Sequence, residues 1–332
     1  MRAAVLHRFD APLEVREVPE PTPGPDEALV RVRAVGICGT DLKIASGAFS
    51  TTPLPIILGH EVAGELASPA AGMGRGQRVA CYVYDPCGRC RWCRAGQDTL
   101  CPASRRIGFD RDGGLAEYVA VPARNLLPFG EHLPFELAGI AMDAVTAPWR
   151  ALVRRATVQA GETVVVGGAG GLGLSGIQIA RALGARVAAI DPVASHRDLA
   201  IAVGAELAVA PEEAERVRAW AGEGADVGFE ASGSRQGFLA VLAALRQGGR
   251  LVCCGYRPGL EYGLDSAQLV LGEITLLGSR NGSREDARAA LRAVEEGKVR
   301  PQVMERLPLT EANRALELLR AGDVQGRVVV CP

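Results

Sequence analysis

The stretch TVVVGGAGGLGLSGIQIARALGARVAAID, residues 163–191, decides the reading of this chain. A short β-type run enters a glycine turn, the turn opens an apolar segment at helical spacing, and a second β-type run ends on an acid. Gly168, Gly170 and Gly173 form G-x-G-x-x-G, with Gly171 and Leu172 between the last two. In a strand-to-helix turn the first glycine permits the tight bend and the second lets backbone approach a pyrophosphate. The third lets the helix pack on the strand. The helix N-terminus then presents free N–H groups and the positive end of its dipole to phosphate. Asp191 closes the next strand at the spacing where a carboxylate binds both ribose hydroxyls of NAD and repels a 2'-phosphate. Arg197 in the following segment offers that phosphate a counter-charge, so NADP stays as the alternative to NAD. The plainer reading of the same residues is a glycine turn with a capping aspartate in a nucleotide-free sheet.

The pattern continues downstream. SHRDLAIAVGA, GFLAVLAALRQ, REDARAALRAVEEGKV and TEANRALELLRAG read as helices. RVAAID, ELAVA, DVGFEAS, GRLVCCG and the closing GRVVV read as strands. Strands separated by helices of this length imply a parallel sheet with right-handed crossovers, an α/β, doubly wound Rossmann arrangement. Upstream the regime is different. Short β-type runs (AAVL, LEVREV, ALVRVRAVG) alternate with punctuation such as PEPTPGPDE, as in a strand-and-turn, barrel-like region. PFELAGIAMDAVTAPWRALVRRA, apolar at helical spacing despite Pro148, leads from one regime to the other. With 332 residues the chain is long enough for two domains with their own cores.

Between the two regimes stands CGRCRWCRAGQDTLC, with Cys87, Cys90, Cys93 and Cys101. Four soft thiolates at this spacing fit one tetrahedral zinc at about 2.3 Å, and a closed set of four leaves no position for water or substrate. The site predicted is therefore structural. Two disulfides or four inert cysteines are the alternatives, strained or crowded in so tight a run. The net charge of −1, with 37 basic against 38 acidic residues, gives no tract suited to nucleic acid. No apolar run approaches the roughly twenty residues of a membrane span. MRAAVLHRFDAPLEV lacks the pattern of a signal peptide, so a reducing, cytoplasmic setting is expected for the nine cysteines.

GICGTDL and GHEVAG, the four-cysteine lobe, the glycine loop and GRVVV together resemble the zinc-dependent medium-chain alcohol dehydrogenases, and the likeness runs essentially end to end. Read singly, Cys38, His60 and Glu61 have bland explanations. The resemblance implies that Cys38 and His60 bind a catalytic zinc, with Glu61 as an alternate ligand and Asp143 of MDAVTAPW as the remaining one. A zinc held by sulfur, nitrogen and carboxylate with a position open is suited to catalysis. By the same resemblance Thr40 begins a proton relay and Asp41 orients His60. Lys43 stands where many members carry a relay histidine, which implies proton exit through cofactor ribose and water, and Ala147 stands where some carry a hydroxyl against the nicotinamide. The implied fold adds a β-rich, GroES-like catalytic domain at 1–144 and 281–332 to a Rossmann domain at 145–280. The implied activity is hydride transfer between a secondary alcohol and NAD, with two zinc ions per chain, a small alcohol or carbonyl substrate, and a homodimer or homotetramer joined through edge strands of the cofactor sheet. Three other readings remain beside it. A hydroxyacyl-CoA dehydrogenase of the same family would use Arg105, Arg106 and Arg111 for phosphates. A zinc-free NADPH reductase would lack the GHE ligands and the lobe, and a non-catalytic nucleotide-binding protein would keep only the structural zinc.

Overall fold

The computed structural model describes residues 1–322 and 324–332. The chain divides into two units, Met1–Asp143 with Gly282–Glu296 and Val303–Pro332, and Ala144–Asn281 with Gly297–Gln302.

In the second unit six strands lie in the order Leu207–Val209, Arg186–Ile190, Thr163–Gly167, Ala225–Glu230, Leu245–Cys253, Thr275–Gly278, and every pairing is parallel. The order reverses beside Thr163–Gly167, the kind of switch point at whose carboxyl end doubly wound sheets bind their ligands. Thr163–Gly167 is buried along its whole length, which is why it reads as a continuous apolar run rather than an alternating one. Val165, Ile190, Phe238, Val241 and Leu251 pack in one core cluster. At the start of the strands Asp226 accepts from the N–H and hydroxyl of Thr163, each at 2.8 Å, and from Arg246 Nε at 2.7 Å. Burial alone would raise the Asp226 carboxyl, but Thr163 and Arg246 outweigh it and hold the group below its ordinary range.

The glycine turn follows Thr163–Gly167 and opens the helix Gly171–Ala182. Gly168 has φ +87, a conformation that favours glycine. A Cβ on Gly173 would lie 1.8 Å from the Gly168 carbonyl oxygen, so the helix reaches the strand only because none is there.

The helix Ser266–Leu271 and the edge strand Thr275–Gly278 fall outside the elements read from sequence. Neither buries a full apolar face, so neither carries a periodic signal. The helical run beginning at Phe135 holds as expected, but it widens to π-helical turns over Ala141–Val145 and Arg150–Arg155. The N–H of Ala156 accordingly bonds five residues back, to Ala151.

The first unit is built on a seven-stranded sheet. Leu126–Pro128, Arg78–Cys81, Glu61–Leu66, Glu27–Ile37, Arg327–Cys331 and Val303–Pro308 follow one another, and Tyr118–Pro122 also pairs with Glu27–Ile37. The last two strands of the row run parallel and its other pairings are antiparallel. The closing GRVVV therefore pairs with Glu27–Ile37, the first strand of this sheet in chain order. A smaller sheet joins Glu14–Glu17, Arg2–Leu6 and Ile56–Ile57. Tyr84–Asp85 pairs with Arg105–Arg106 and closes the base of the cysteine loop. Among the described residues no helix is long and apolar enough to cross a membrane.

Candidate active site

Cys38, His60, Glu61 and Asp143 come from separated parts of the sequence, and one ligand atom from each lies within 4.8 Å of the others. Cys38 caps the helix Gly39–Ala45, and the Thr40 N–H donates to its Sγ at 3.3 Å. His60 and Glu61 stand where the chain enters the strand Glu61–Leu66, and Asp143 lies in the π-helical turn Ala141–Val145. Met142 and Ala144 beside Asp143 are fully buried, whereas the Asp143 side chain is 17% exposed.

His60 Nε2 is 3.2 Å from Cys38 Sγ and 3.8 Å from Asp143 Oδ2. Its other nitrogen, Nδ1, is 3.2 Å from Asp41 Oδ1. Asp41 Oδ2 accepts from the Cys38 N–H at 3.0 Å, so one buried carboxylate both caps the helix and faces the imidazole. With the ring proton on Nδ1, Nε2 aims a lone pair at a sulfur and a carboxylate. A tetrahedral zinc with bonds of about 2.0–2.3 Å holds such atoms about 3.3–3.6 Å apart, and the observed separations bracket that range. In that tautomer three acceptors converge, an arrangement suited to positive charge, whether a metal ion among them or a second proton on the His60 ring.

Electrostatics point the same way. Burial works against an imidazolium at His60, yet the negative charges at Cys38 and Asp41 outweigh it and raise its pKa well above the ordinary value. Burial pushes the Glu61 carboxyl up, and the charge of Arg327 pulls against that shift. Arg327 Nε donates to Glu61 Oε1 at 3.1 Å, with both residues buried. A Cβ at Gly36 would sit 2.0 Å from Glu61 Oε2, so the glycine of GICGTDL makes room for this carboxylate. Phe109 packs edge-on against the His60 ring, centroids 5.0 Å apart.

In the cysteine lobe Cys90 Sγ lies 3.5 Å and Cys87 Sγ 3.9 Å from Cys93 Sγ, and the Cys87 N–H donates to Cys101 Sγ. Four sulfurs about 2.3 Å from one zinc stand about 3.8 Å apart, close to these values and far from the roughly 2.05 Å of a disulfide. Hydrogen bonds from the backbone at Arg89 and Cys90 pull the Cys87 thiol down to about 6, while burial and the Cys90 thiol push Cys93 up to about 12, so these crowded thiols do not ionise alike.

At the glycine loop Asp191 is buried, with Oδ2 accepting from Ala169 N at 2.7 Å and Oδ1 from Val193 N at 2.9 Å. Arg197 Nη1 donates to the carbonyls of Asp191 and Pro192 at 2.8 and 2.9 Å. Thr40 and Lys43 are half-buried on the helix Gly39–Ala45.

Arg327 and His196 are absent from the residues singled out by sequence. Arg327 was in view inside GRVVV, where an arginine heading a β-run passes for a surface charge. His196 Nδ1 is 3.4 Å from Asp191 Oδ1, a contact that a histidine in a helical segment does not announce. Arg106 and Arg111, offered as phosphate contacts, are engaged within the fold. Arg106 makes a two-armed pair with Asp110 at 2.7 and 3.0 Å, and Arg111 binds Glu27 and the Ala120 carbonyl.

Comparison with known proteins gives two family matches: an alcohol dehydrogenase GroES-like domain over residues 24–131 and a zinc-binding dehydrogenase domain over residues 171–296. An alcohol dehydrogenase of Geobacillus stearothermophilus is 34% identical over 338 residues, covering 99% of each chain. The crystal structure of an NAD-dependent alcohol dehydrogenase superposes with a TM-score of 0.94 at 34% identity over 100% of both chains. A cobalt- and zinc-bound thermostable alcohol dehydrogenase from Pyrobaculum aerophilum gives 0.90 at 31% identity, over 100% of this chain and 99% of that one.

Proposed function

The chain belongs to the zinc-binding, medium-chain alcohol dehydrogenase family, and from that premise we propose that it carries two zinc ions and transfers a hydride between a secondary alcohol and NAD. The observation that carries this reading is the convergence of Cys38 Sγ, His60 Nε2 and Asp143 Oδ2, a sulfur, a nitrogen and a carboxylate oxygen of the kinds zinc takes. In this reading Cys38, His60 and Asp143 hold the catalytic zinc and Glu61, restrained by Arg327, is the alternate ligand. Cys87, Cys90, Cys93 and Cys101 hold the structural zinc. When bound at the first site, zinc supplies the Lewis acidity that makes an alcohol hydroxyl acidic near neutral pH.

The chain's own residues do the rest. Asp41 keeps the His60 proton on Nδ1 and so leaves Nε2 free to ligate. The Thr40 hydroxyl takes up the alcohol proton as the start of a relay, with Lys43 farther along the same helix. Gly168, Gly170, Gly171, Leu172 and Gly173 bring backbone N–H groups to a pyrophosphate, and Asp191 accepts from the adenosine ribose. The internal pairing of Arg106 and Arg111 gives no support to a CoA-linked substrate. The family's chemistry calls for a small alcohol or carbonyl as partner. Nine free cysteines suit a reducing cytoplasm. A homodimer or homotetramer through the sheet edge is supported by the exposed strand Thr275–Gly278 and by Val270 and Leu271, which are 68% and 77% exposed beside it.

The test is NAD reduction, followed by absorbance, against secondary alcohols, diols and hydroxyacyl-CoA thioesters. Turnover confined to simple secondary alcohols supports the reading. Turnover confined to thioesters overturns the substrate class, and no turnover by zinc-replete protein overturns the function.

A further inference from the structure

Asp191 is held from three directions. Its Oδ2 accepts from Ala169 N in the glycine loop at 2.7 Å, its Oδ1 accepts from Val193 N in the turn at 2.9 Å, and His196 Nδ1 on the helix Ala194–Ala202 lies 3.4 Å from the same Oδ1. Asp191 is 5% exposed and His196 8%, so both are set into the fold rather than lying on it. A carboxylate offers about four acceptor positions. Two backbone donors and the adjoining imidazole restrict its orientation and leave capacity for a diol. Arg197, the nearby cation that suggests a 2'-phosphate, is turned back on the backbone carbonyls of Asp191 and Pro192. The carboxylate, and whatever aims it, is therefore left to discriminate between ribose and its 2'-phosphate.

We propose that His196 is a positioning residue for the cofactor: through Nδ1 it fixes the Asp191 carboxylate in the orientation that accepts the adenosine ribose hydroxyls, and so sets the preference for NAD over NADP. The proposal rests on the reading of Asp191 as the ribose-binding acid. His196 touches no reacting atom, so its effect belongs in cofactor affinity and not in the hydride step. Without the imidazole two backbone donors remain, the carboxylate gains freedom to rotate, and both the diol contact and the aimed repulsion of a 2'-phosphate weaken.

The experiment measures dissociation constants of NADH and NADPH by fluorescence titration of the full chain, together with kcat and KM for NAD. The variants are His196→Leu, which fills the space without donating, and His196→Asn, whose amide N–H lies near the place of Nδ1. His196→Leu is expected to weaken NADH and raise KM for NAD by about tenfold, the size of one charge-assisted hydrogen bond. NADPH binding and kcat at saturating NAD should stay within about twofold, so the preference falls about tenfold, and His196→Asn should recover most of it. Should His196→Leu not fold, His196→Ala is read in the same way. Equal weakening of NADH and NADPH overturns the proposal, because that is the mark of a merely structural residue; so does an unchanged preference. Wild-type protein that binds NADPH more tightly than NADH overturns the underlying reading of Asp191 and the proposal with it, whereas a wild type that prefers NADH with unchanged variants overturns the role of His196 alone.

Discussion

Arg327 and Glu61 are the two members of a buried ion pair set beside the candidate zinc ligands. Truncating one partner of such a pair leaves the other charge in the interior without compensation, which typically destabilises a protein by about 3–5 kcal/mol. Arg327→Met is therefore expected to lower stability by about that amount in denaturant unfolding. Adding Glu61→Gln to it should recover a large part of the loss; a double variant no more stable than the single one would show that the pair is not the source. The same residues mark what sequence alone reaches at this scale. Cys87, Cys90, Cys93 and Cys101 announce themselves because their spacing is short and their chemistry narrow. Cys38, His60 and Asp143 do not, since each is ordinary until the fold brings them within 4.8 Å, and only likeness to a family singled them out. Arg327 stayed hidden because its partner lies 266 positions away.

Elements carry two further expectations. The turn between Thr163–Gly167 and Gly171–Ala182 has no room for a side chain at Gly173, where a Cβ would stand 1.8 Å from the Gly168 oxygen. Gly173→Ala should push the helix from the strand and weaken NADH by at least about tenfold in fluorescence titration, with zinc content unchanged. Asp226 ties the start of two strands through Thr163 and Arg246, and its folded-state pKa is held below the ordinary value. A depressed carboxyl contributes stability that is present above its unfolded pKa of about 3.9 and is lost as pH falls through the folded value. Asp226→Asn should therefore reduce stability at neutral pH and narrow the gap to wild type at acid pH; a gap that widens on acidification would contradict this. Long buried strands and amphipathic helices were legible from their periodicity. Ser266–Leu271 and Thr275–Gly278 were not, being short and unburied on their own. The widening of the helix at Ala141–Val145 was also invisible, because a π-helical turn has no residue signature and Pro148 pointed only to some irregularity nearby.

For the whole molecule, the exposed edge strand with Val270, Leu271 and Leu276 leads to an expected self-association that charge would disrupt. Leu276→Lys, on that strand, should shift the mass measured by light scattering to that of a smaller species, with no loss of zinc. The alternation of β and α downstream, against short β-runs upstream, made the two-part organisation readable from sequence. How the closing strand Arg327–Cys331 joins Glu27–Ile37 was carried by GRVVV only through likeness to a family, since strand pairing across some 290 residues leaves no local trace. One structural and one catalytic zinc per chain is the expectation on which the proposed chemistry depends. Zinc per chain, determined on wild type and on Asp143→Ala, tests it most directly. Two zinc ions are expected in the wild type and one in the variant, with the cysteine lobe still loaded. Two ions retained in the variant would contradict the assignment of Asp143, and a wild type with one ion or none would contradict the catalytic zinc itself.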